Sequence, residues 1–266
     1  MTSVGVVGLG VIGRAVCGAL DAGIEGLALA GATARDRTRG EAFLRTLSAP
    51  PPYLPLDQLI GAADLLVEAS TQAHLAEWAP AALGAGKDLM VLSCGALVDR
   101  ADWVSLARER GARILVPSGA IGGLDAVKAA RVGRIASVTM ETRKPPAGLA
   151  GAPWVLARGI ALEALTEPTL IFEGRAGEAI KGFPANVNVL AALALAGVGP
   201  ALTMSRIYAV PGLTRNTHAI TVEGEAGRVR VEIENVPSEN PRTGRLAALS
   251  AIAMLRELGA TLRVGS

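Results

Sequence analysis

A doubly wound parallel α/β domain, followed by a second α/β domain on a mixed or antiparallel open sheet, is predicted by three features of this 266-residue chain. Short apolar runs alternate with helix-patterned segments from Val4 to Pro117, as strands and crossover helices do in a parallel sheet. A glycine-rich turn, Gly8-Leu9-Gly10-Val11-Ile12-Gly13, joins the first run to the first helix. Past Val132 the runs alternate apolar and polar residues, the mark of strands buried on one face only. The composition agrees. Hydrophobic residues make up 50% of the chain and aromatics only 3%, so the core is built of Ala, Val, Leu and Ile, which suits strands covered by helices. Basic residues (26) nearly balance acidic ones (24), and a net charge of +2 calls for neither nucleic acid nor a membrane surface.

The first strand, Ser3 to Val7, leads into the glycine turn. Gly8 suits the tight bend, Gly10 leaves room for a diphosphate, and Gly13 lets the helix lie close to the strand. The unpaired N–H groups at the helix start, at Val11 and Ile12, bind phosphate with the help of the helix dipole. This strand–turn–helix setting is the Rossmann-type context in which the motif carries weight. The first helix is expected from Gly13 to about Ala22 and the second strand over Leu27–Ala32. The tip of that strand, where an acidic residue would hold the adenosine ribose, carries Thr33 and Ala34, with Arg35, Asp36 and Arg37 following. Arg35 there fits a 2′-phosphate and so NADP, while Asp36 reaching the ribose would fit NAD; both remain open.

A helix is expected over Glu41–Leu47, stopped by Pro50-Pro51-Pro52, and a short one over Leu56–Ala63. The strand Leu65–Ala69 contains Glu68, unusual in such a run, and ends at Ser70-Thr71-Gln72, where Ser70 should lie along the cofactor. His74, beside Leu75, Trp78 and Ala79 in the helix Ala73–Leu83, reads as structural. The strand Asp88–Ser93, the helix Asp102–Arg110, the strand Arg113–Pro117 and a second glycine turn, Ser118–Gly123, lead into a helix over Leu124–Ala130. Strands follow at Ile135–Arg143, read as antiparallel, at Thr169–Gly174, Thr203–Val210, Thr217–Glu223 and Arg228–Glu234. Ala147–Arg158 reads as loop; helices are expected over Arg175–Lys181, Val189–Ala196 and Thr243–Leu258, the last capped by Thr243 or Asn240. The first domain is therefore placed at 1–120, completed by the C-terminal helix at 241–266, and the second, catalytic and dimerising, at 121–240. Cys17 and Cys94 lack metal-ligand spacing and read as reduced, buried thiols. The chain enters a strand at once, so no signal peptide is expected, and the apolar stretch Val189–Val198 is too short for a bilayer; a cytoplasmic location is expected.

The chain resembles the L-aspartate dehydrogenase family nearly from end to end. The residues that carry the resemblance are the Gly8–Gly13 turn, Pro117–Ala126, Thr142-Arg143-Lys144-Pro145-Pro146, Phe183–Val189 with Asn186 and Asn188, Asn216-Thr217-His218, and Glu239–Thr243. The resemblance implies a catalytic histidine at His218, further cofactor contacts at Ala120 and Asn188, NAD or NADP as cofactor, a homodimer, and a place in pyridine nucleotide biosynthesis. It implies oxidation of L-aspartate to iminoaspartate, which water converts to oxaloacetate and ammonia.

Such a reaction needs a base for the amine proton and cations or N–H donors for the carboxylates. His218, beside Asn216 and Thr217 at a strand start, is expected in a polar setting with a near-neutral pKa that suits a base. For the dicarboxylate the sequence offers Arg143, Lys144, Asn186, Arg242 and Thr243 without choosing among them. Asn188 is either a helix cap or a bond to the nicotinamide end of the cofactor. No metal is called for. Two other classes stay open: a small reductase of the same architecture with a different substrate, and a non-catalytic NAD(P)-binding sensor. The lack of a His-His pair counts against a dihydrodipicolinate reductase.

Overall fold

The computed structural model describes residues 1–184, 188–236 and 245–265. The chain folds into two compact units, Met1–Pro117 with Ala248–Val264, and Ser118–Ala247.

The first unit is a five-stranded parallel sheet of order β2-β1-β3-β4-β5, from β1 (Thr2–Val7), β2 (Leu27–Thr33), β3 (Leu65–Glu68), β4 (Asp88–Val91) and β5 (Ile114–Leu115). The strands are joined by α1 (Val11–Asp21), α2 (Arg37–Leu44), α3 (Leu56–Ala62), α4 (Gln72–Gly84) and α5 (Ala101–Arg110). Alternation along β1 assigns its faces. Val4 and Val6 pack with Val16 and Leu20 of α1 and with Ala251 and Leu255 of α10 (Arg245–Gly259). Gly5 points the other way, where an added Cβ would sit 2.9 Å from Leu59 of α3. The sheet is covered on both faces, hence the near-continuous Leu, Val and Met of β3 and β4. The strand order reverses between β1 and β3, and ligands of such sheets bind outside the carboxyl ends at that point.

The second unit is a mixed sheet of order β10-β9-β6-β8-β7. Its strands are β6 (Ile135–Lys144), β7 (Thr169–Arg175), β8 (Thr203–Ala209), β9 (Asn216–Gly224) and β10 (Gly227–Asn235). The central strand β6 runs antiparallel to β9 but parallel to β8, so the antiparallel expectation is right for one neighbour only. The difference lies in the connection: β6 reaches β8 through β7 and three α-helices, long enough for a crossover. The helices of this unit are α6 (Leu124–Val132), α7 (Pro153–Ala157), α8 (Ala176–Gly182) and α9 (Asn188–Ala196). The stretch expected as loop at 147–158 holds α7, started by Pro153 at its first turn, where a missing N–H costs nothing. Likewise α2 begins at Arg37 rather than Glu41, because Asp36 caps it by accepting from Arg39 N at 3.0 Å. Among the described residues no helix is long and apolar enough to cross a membrane.

Candidate active site

The glycine turn is built as its spacing requires. Gly8 has φ +102°, a conformation that disfavours any side chain, and a Cβ there would sit 2.5 Å from the Ala69 carbonyl oxygen. A Cβ on Gly13 would overlap the Gly8 carbonyl oxygen, so the helix can approach the strand this closely only through glycine. At Gly10 an added Cβ would meet nothing within 4 Å, so the space beside it is open. Gly10 is the N-cap of α1, no side chain caps the helix, and no acidic residue lies in its first turn. The N–H groups of Val11 and Ile12 are thus left for an anion. The residues present fit a dinucleotide diphosphate.

At the tip of β2, Ala34 and Thr33 are held by the Tyr53 hydroxyl, which donates to Ala34 O. Arg37 is engaged with Glu41 at 2.7 Å and lies over the Tyr53 ring. The Asp36 carboxylate caps α2. Arg35 is exposed and has no ion pair among the described residues. Ser70, half-buried after β3, gives both its N–H and its hydroxyl to Glu68, and its Oγ lies 3.2 Å from His74 Nδ1. Cys17 and Cys94 are buried and not in a disulfide, and burial pushes the Cys17 thiol up to about 12.

The second unit holds the other group of buried polar residues. On the buried face of its sheet, Val138, Met140, Ile220 and Val222 make one end apolar. The other end, on the same face, carries Thr142 and Lys144 of β6, Asn216 and His218 of β9 and Asn235 of β10, all buried. Register brings them together: Thr142 lies opposite His218, and Asn216 opposite Asn235. Thr142 Oγ1 is 3.1 Å from His218 Nδ1. Asn235 Nδ2 donates to Ala120 O at 2.8 Å, fixing the turn before α6. Buried polar side chains of this density are expensive to maintain and mark a site.

Burial governs the charges here. His218 is 4% exposed, and desolvation, reinforced by the nearby Lys144 cation, pushes its pKa down to about 3. The near-neutral imidazole expected from sequence is thereby corrected: the ring sits on the buried face of a strand and is neutral across the physiological range. Lys144 is also 4% exposed, and desolvation lowers it to about 8. Arg143 is on the opposite face, paired with Glu141 at 2.7 Å and lying over Tyr208, away from His218. Asn188 opens α9 and is half-buried. Asn186, Arg242 and Thr243 lie outside the described residues, as does the cap expected at Asn240.

Sequence reading missed Thr142 as His218's partner, Asn235 as the anchor of Ala120, and Glu68 with Ser93. Counting by two from Val138 and from Val222 would have placed Thr142, Lys144, His218 and Asn216 on one face. Nothing local signals the partners across strands.

Residues 125–258 match the family described as "Aspartate dehydrogenase, C-terminal", and residues 8–117 the one described as "Homoserine dehydrogenase, NAD binding domain". The chain is 51% identical over 263 residues to the L-aspartate dehydrogenase of Bradyrhizobium diazoefficiens, covering 99% of this chain and 94% of that protein. It is 43% identical to the L-aspartate dehydrogenase of Methanosarcina mazei, with all of both chains covered. Among solved structures it is similar to the aspartate dehydrogenase of Thermotoga maritima, with TM-score 0.77, 26% identity and full coverage of both chains. A hyperthermophilic archaeal homoserine dehydrogenase in complex with NADPH shares the fold at TM-score 0.61 and 13% identity, over 100% of this chain and 99% of that one. With sequence identity at this level running from one end to the other, the chain belongs to the L-aspartate dehydrogenase family.

Proposed function

We propose that this protein oxidises L-aspartate with NAD(P)⁺ to iminoaspartate, which hydrolyses to oxaloacetate and ammonia, and that it does so reversibly in the cytoplasm, feeding pyridine nucleotide synthesis. The observation that carries the reading is the buried His218–Thr142–Lys144 cluster, in a chain whose relatives of 51% and 43% identity are L-aspartate dehydrogenases. Gly8, Gly10 and Gly13 with the Val11 and Ile12 N–H groups would hold the diphosphate, and Ser70, Ala120 and Asn188 would line the rest of the cofactor. Bound NAD(P)⁺ supplies the hydride acceptor for the substrate α-carbon.

His218 is the base. Its Nδ1 lies 3.1 Å from Thr142 Oγ1, and the tautomer that donates to this hydroxyl would leave the Nε2 lone pair free to take a proton from the substrate ammonium and, once that proton has passed to solvent, another from the water that attacks the imine. A neutral ring is required for this; burial keeps it neutral but also weakens it as a base, and a substrate carboxylate arriving beside Lys144 would raise its pKa toward the range a general base needs. Lys144 supplies the cation for a substrate carboxylate, and the arriving negative charge restores the proton that desolvation weakens. Asn186, Arg242 and Thr243 complete the carboxylate set. Arg35, exposed and outside any ion pair among the described residues, favours good use of NADP, since Asp36 is occupied as a helix cap.

The domain split proposed is a cofactor unit at 1–120 with 241–266 and a catalytic unit at 121–240, the latter pairing as a homodimer; light scattering of the purified protein tests the assembly. The function is tested by initial rates of NAD⁺ and NADP⁺ reduction with L-aspartate against a panel of amino and hydroxy acids. Aspartate-specific turnover is expected with both cofactors. Tight cofactor binding without turnover would favour a sensor instead.

A further inference from the structure

We propose that Glu68 is a positioning residue for the cofactor: its carboxylate ties the turn after β3 to the turn after β4, so that both meet NAD(P) in one fixed arrangement. The inference rests on the reading that NAD(P) lies at the carboxyl ends of the first sheet.

Glu68 is the last residue of β3, level with Val7 of β1 and Val91 of β4, and is 0% exposed. Its strand is otherwise Leu65-Leu66-Val67, as a doubly covered strand should be. A buried carboxylate in that place is costly unless every lone pair is used. Here each turn supplies two donors. Oε1 accepts from Ser70 N at 2.7 Å, Ser70 Oγ at 2.9 Å and Ser93 Oγ at 3.0 Å, and Oε2 accepts from Ser93 N at 2.8 Å. Among the described residues no cation pairs with it, and its hydrogen-bond donors come from the two turns.

The grip extends in two directions. The Ser70 hydroxyl, donating to Glu68, is also 3.2 Å from His74 Nδ1, and Thr71 caps α4 through His74 N. The turn also abuts the glycine turn, since the Ala69 carbonyl oxygen lies where a Gly8 side chain would be. One carboxylate therefore sets the position of the segments on both sides of the β3 carboxyl end, next to the point where the strand order reverses. A structural acid could sit anywhere along β3; this one sits where only the ligand-facing turns can satisfy it.

Glu68→Gln tests this. An amide offers one oxygen and one NH₂, so whichever way it turns, a serine N–H faces a donor. The purified protein is titrated with NADH and with NADPH by nucleotide fluorescence, and melting without nucleotide confirms a folded state at the assay temperature. The Kd for the nucleotide is expected to rise by about tenfold or more, and the cofactor KM with it, while the KM for L-aspartate stays within about twofold. Ser93→Ala, which removes one of the bonds and keeps the charge, is expected to move the same constants by less and carries the test if Glu68→Gln does not fold. A folded Glu68→Gln with wild-type Kd overturns the proposal, as does a melting loss with no change in the cofactor constants. Wild-type protein that binds neither nucleotide overturns the underlying cofactor reading, a result distinct from either.

Discussion

Glu68 in the first unit and Lys144 in the second are both ionisable side chains buried in sheets, yet their surroundings differ in kind. Around Glu68 two backbone N–H groups and two hydroxyls converge on the carboxylate, and the whole arrangement is local to two neighbouring turns. Around Lys144 burial dominates: the ammonium is driven down to about 8, and its field helps drive His218 to about 3. The first environment satisfies its carboxylate with fixed donors; the second penalises charge on both the ammonium and the imidazole. Under the proposed function, that difference would separate a region for rigid cofactor binding from one for proton transfer.

The largest expected effect lies in the second region. His218→Ala should lower kcat for aspartate oxidation by about a thousandfold, while nucleotide fluorescence titration gives an unchanged Kd; undiminished turnover would remove the base. In the first region, Gly13→Ala should lower unfolding stability by about 2–3 kcal/mol, because its Cβ meets backbone that has nowhere to go. Gly10→Ala should leave urea unfolding unchanged and weaken nucleotide binding instead; equal stability losses in both would show that the open space beside Gly10 has no bearing on a ligand.

Lys144 provides a pH test with a definite sign. A lysine whose folded pKa is about 8 against an ordinary 10.5 binds fewer protons folded than unfolded between those values, so stability should rise as pH is raised from about 8 to 10.5. Lys144→Met should be about 2 kcal/mol more stable at pH 7 and lack that rise in urea titrations across the window. If, as proposed, the same proton holds the substrate carboxylate, succinate, competing with aspartate, should inhibit less strongly above about pH 8 in the wild type only. A succinate inhibition constant flat from pH 7 to 10 would release Lys144 from its role. Smaller still, Thr142→Val should lower kcat about tenfold with little change in the aspartate KM, and Thr142→Ser should restore it. If valine is tolerated without loss, the Thr142 hydroxyl does not set the ring.

These two regions were also unequally legible. The glycine turn could be read directly, because each glycine answers to a backbone contact within the strand–turn–helix unit or its neighbour. The parallel sheet followed from the alternation of strands and helices. Asp36 as the cap of α2 was misjudged because its role as an acid near a ribose competed with its role as a helix starter. In the second unit resemblance locates His218 and its polar neighbours, but not its pKa: the fold buries the ring opposite Thr142, 76 positions away in sequence, and beside Lys144. Desolvation depends on what covers a side chain, and no local pattern encodes that. Glu68 stood out as an acid in an apolar run, but its partners became visible only when β3 and β4 were set side by side.

The packing of Ala251 and Leu255 against Val4, Val16 and Leu20 has a consequence for biosynthesis. A ribosome releases the glycine turn well before α10, yet the hydrophobic cluster behind that turn waits for α10 to emerge. The parallel sheet is thus sealed only after the second sheet has been made, and a nascent chain halted before α10 would expose a greasy flank for chaperones or proteases to find.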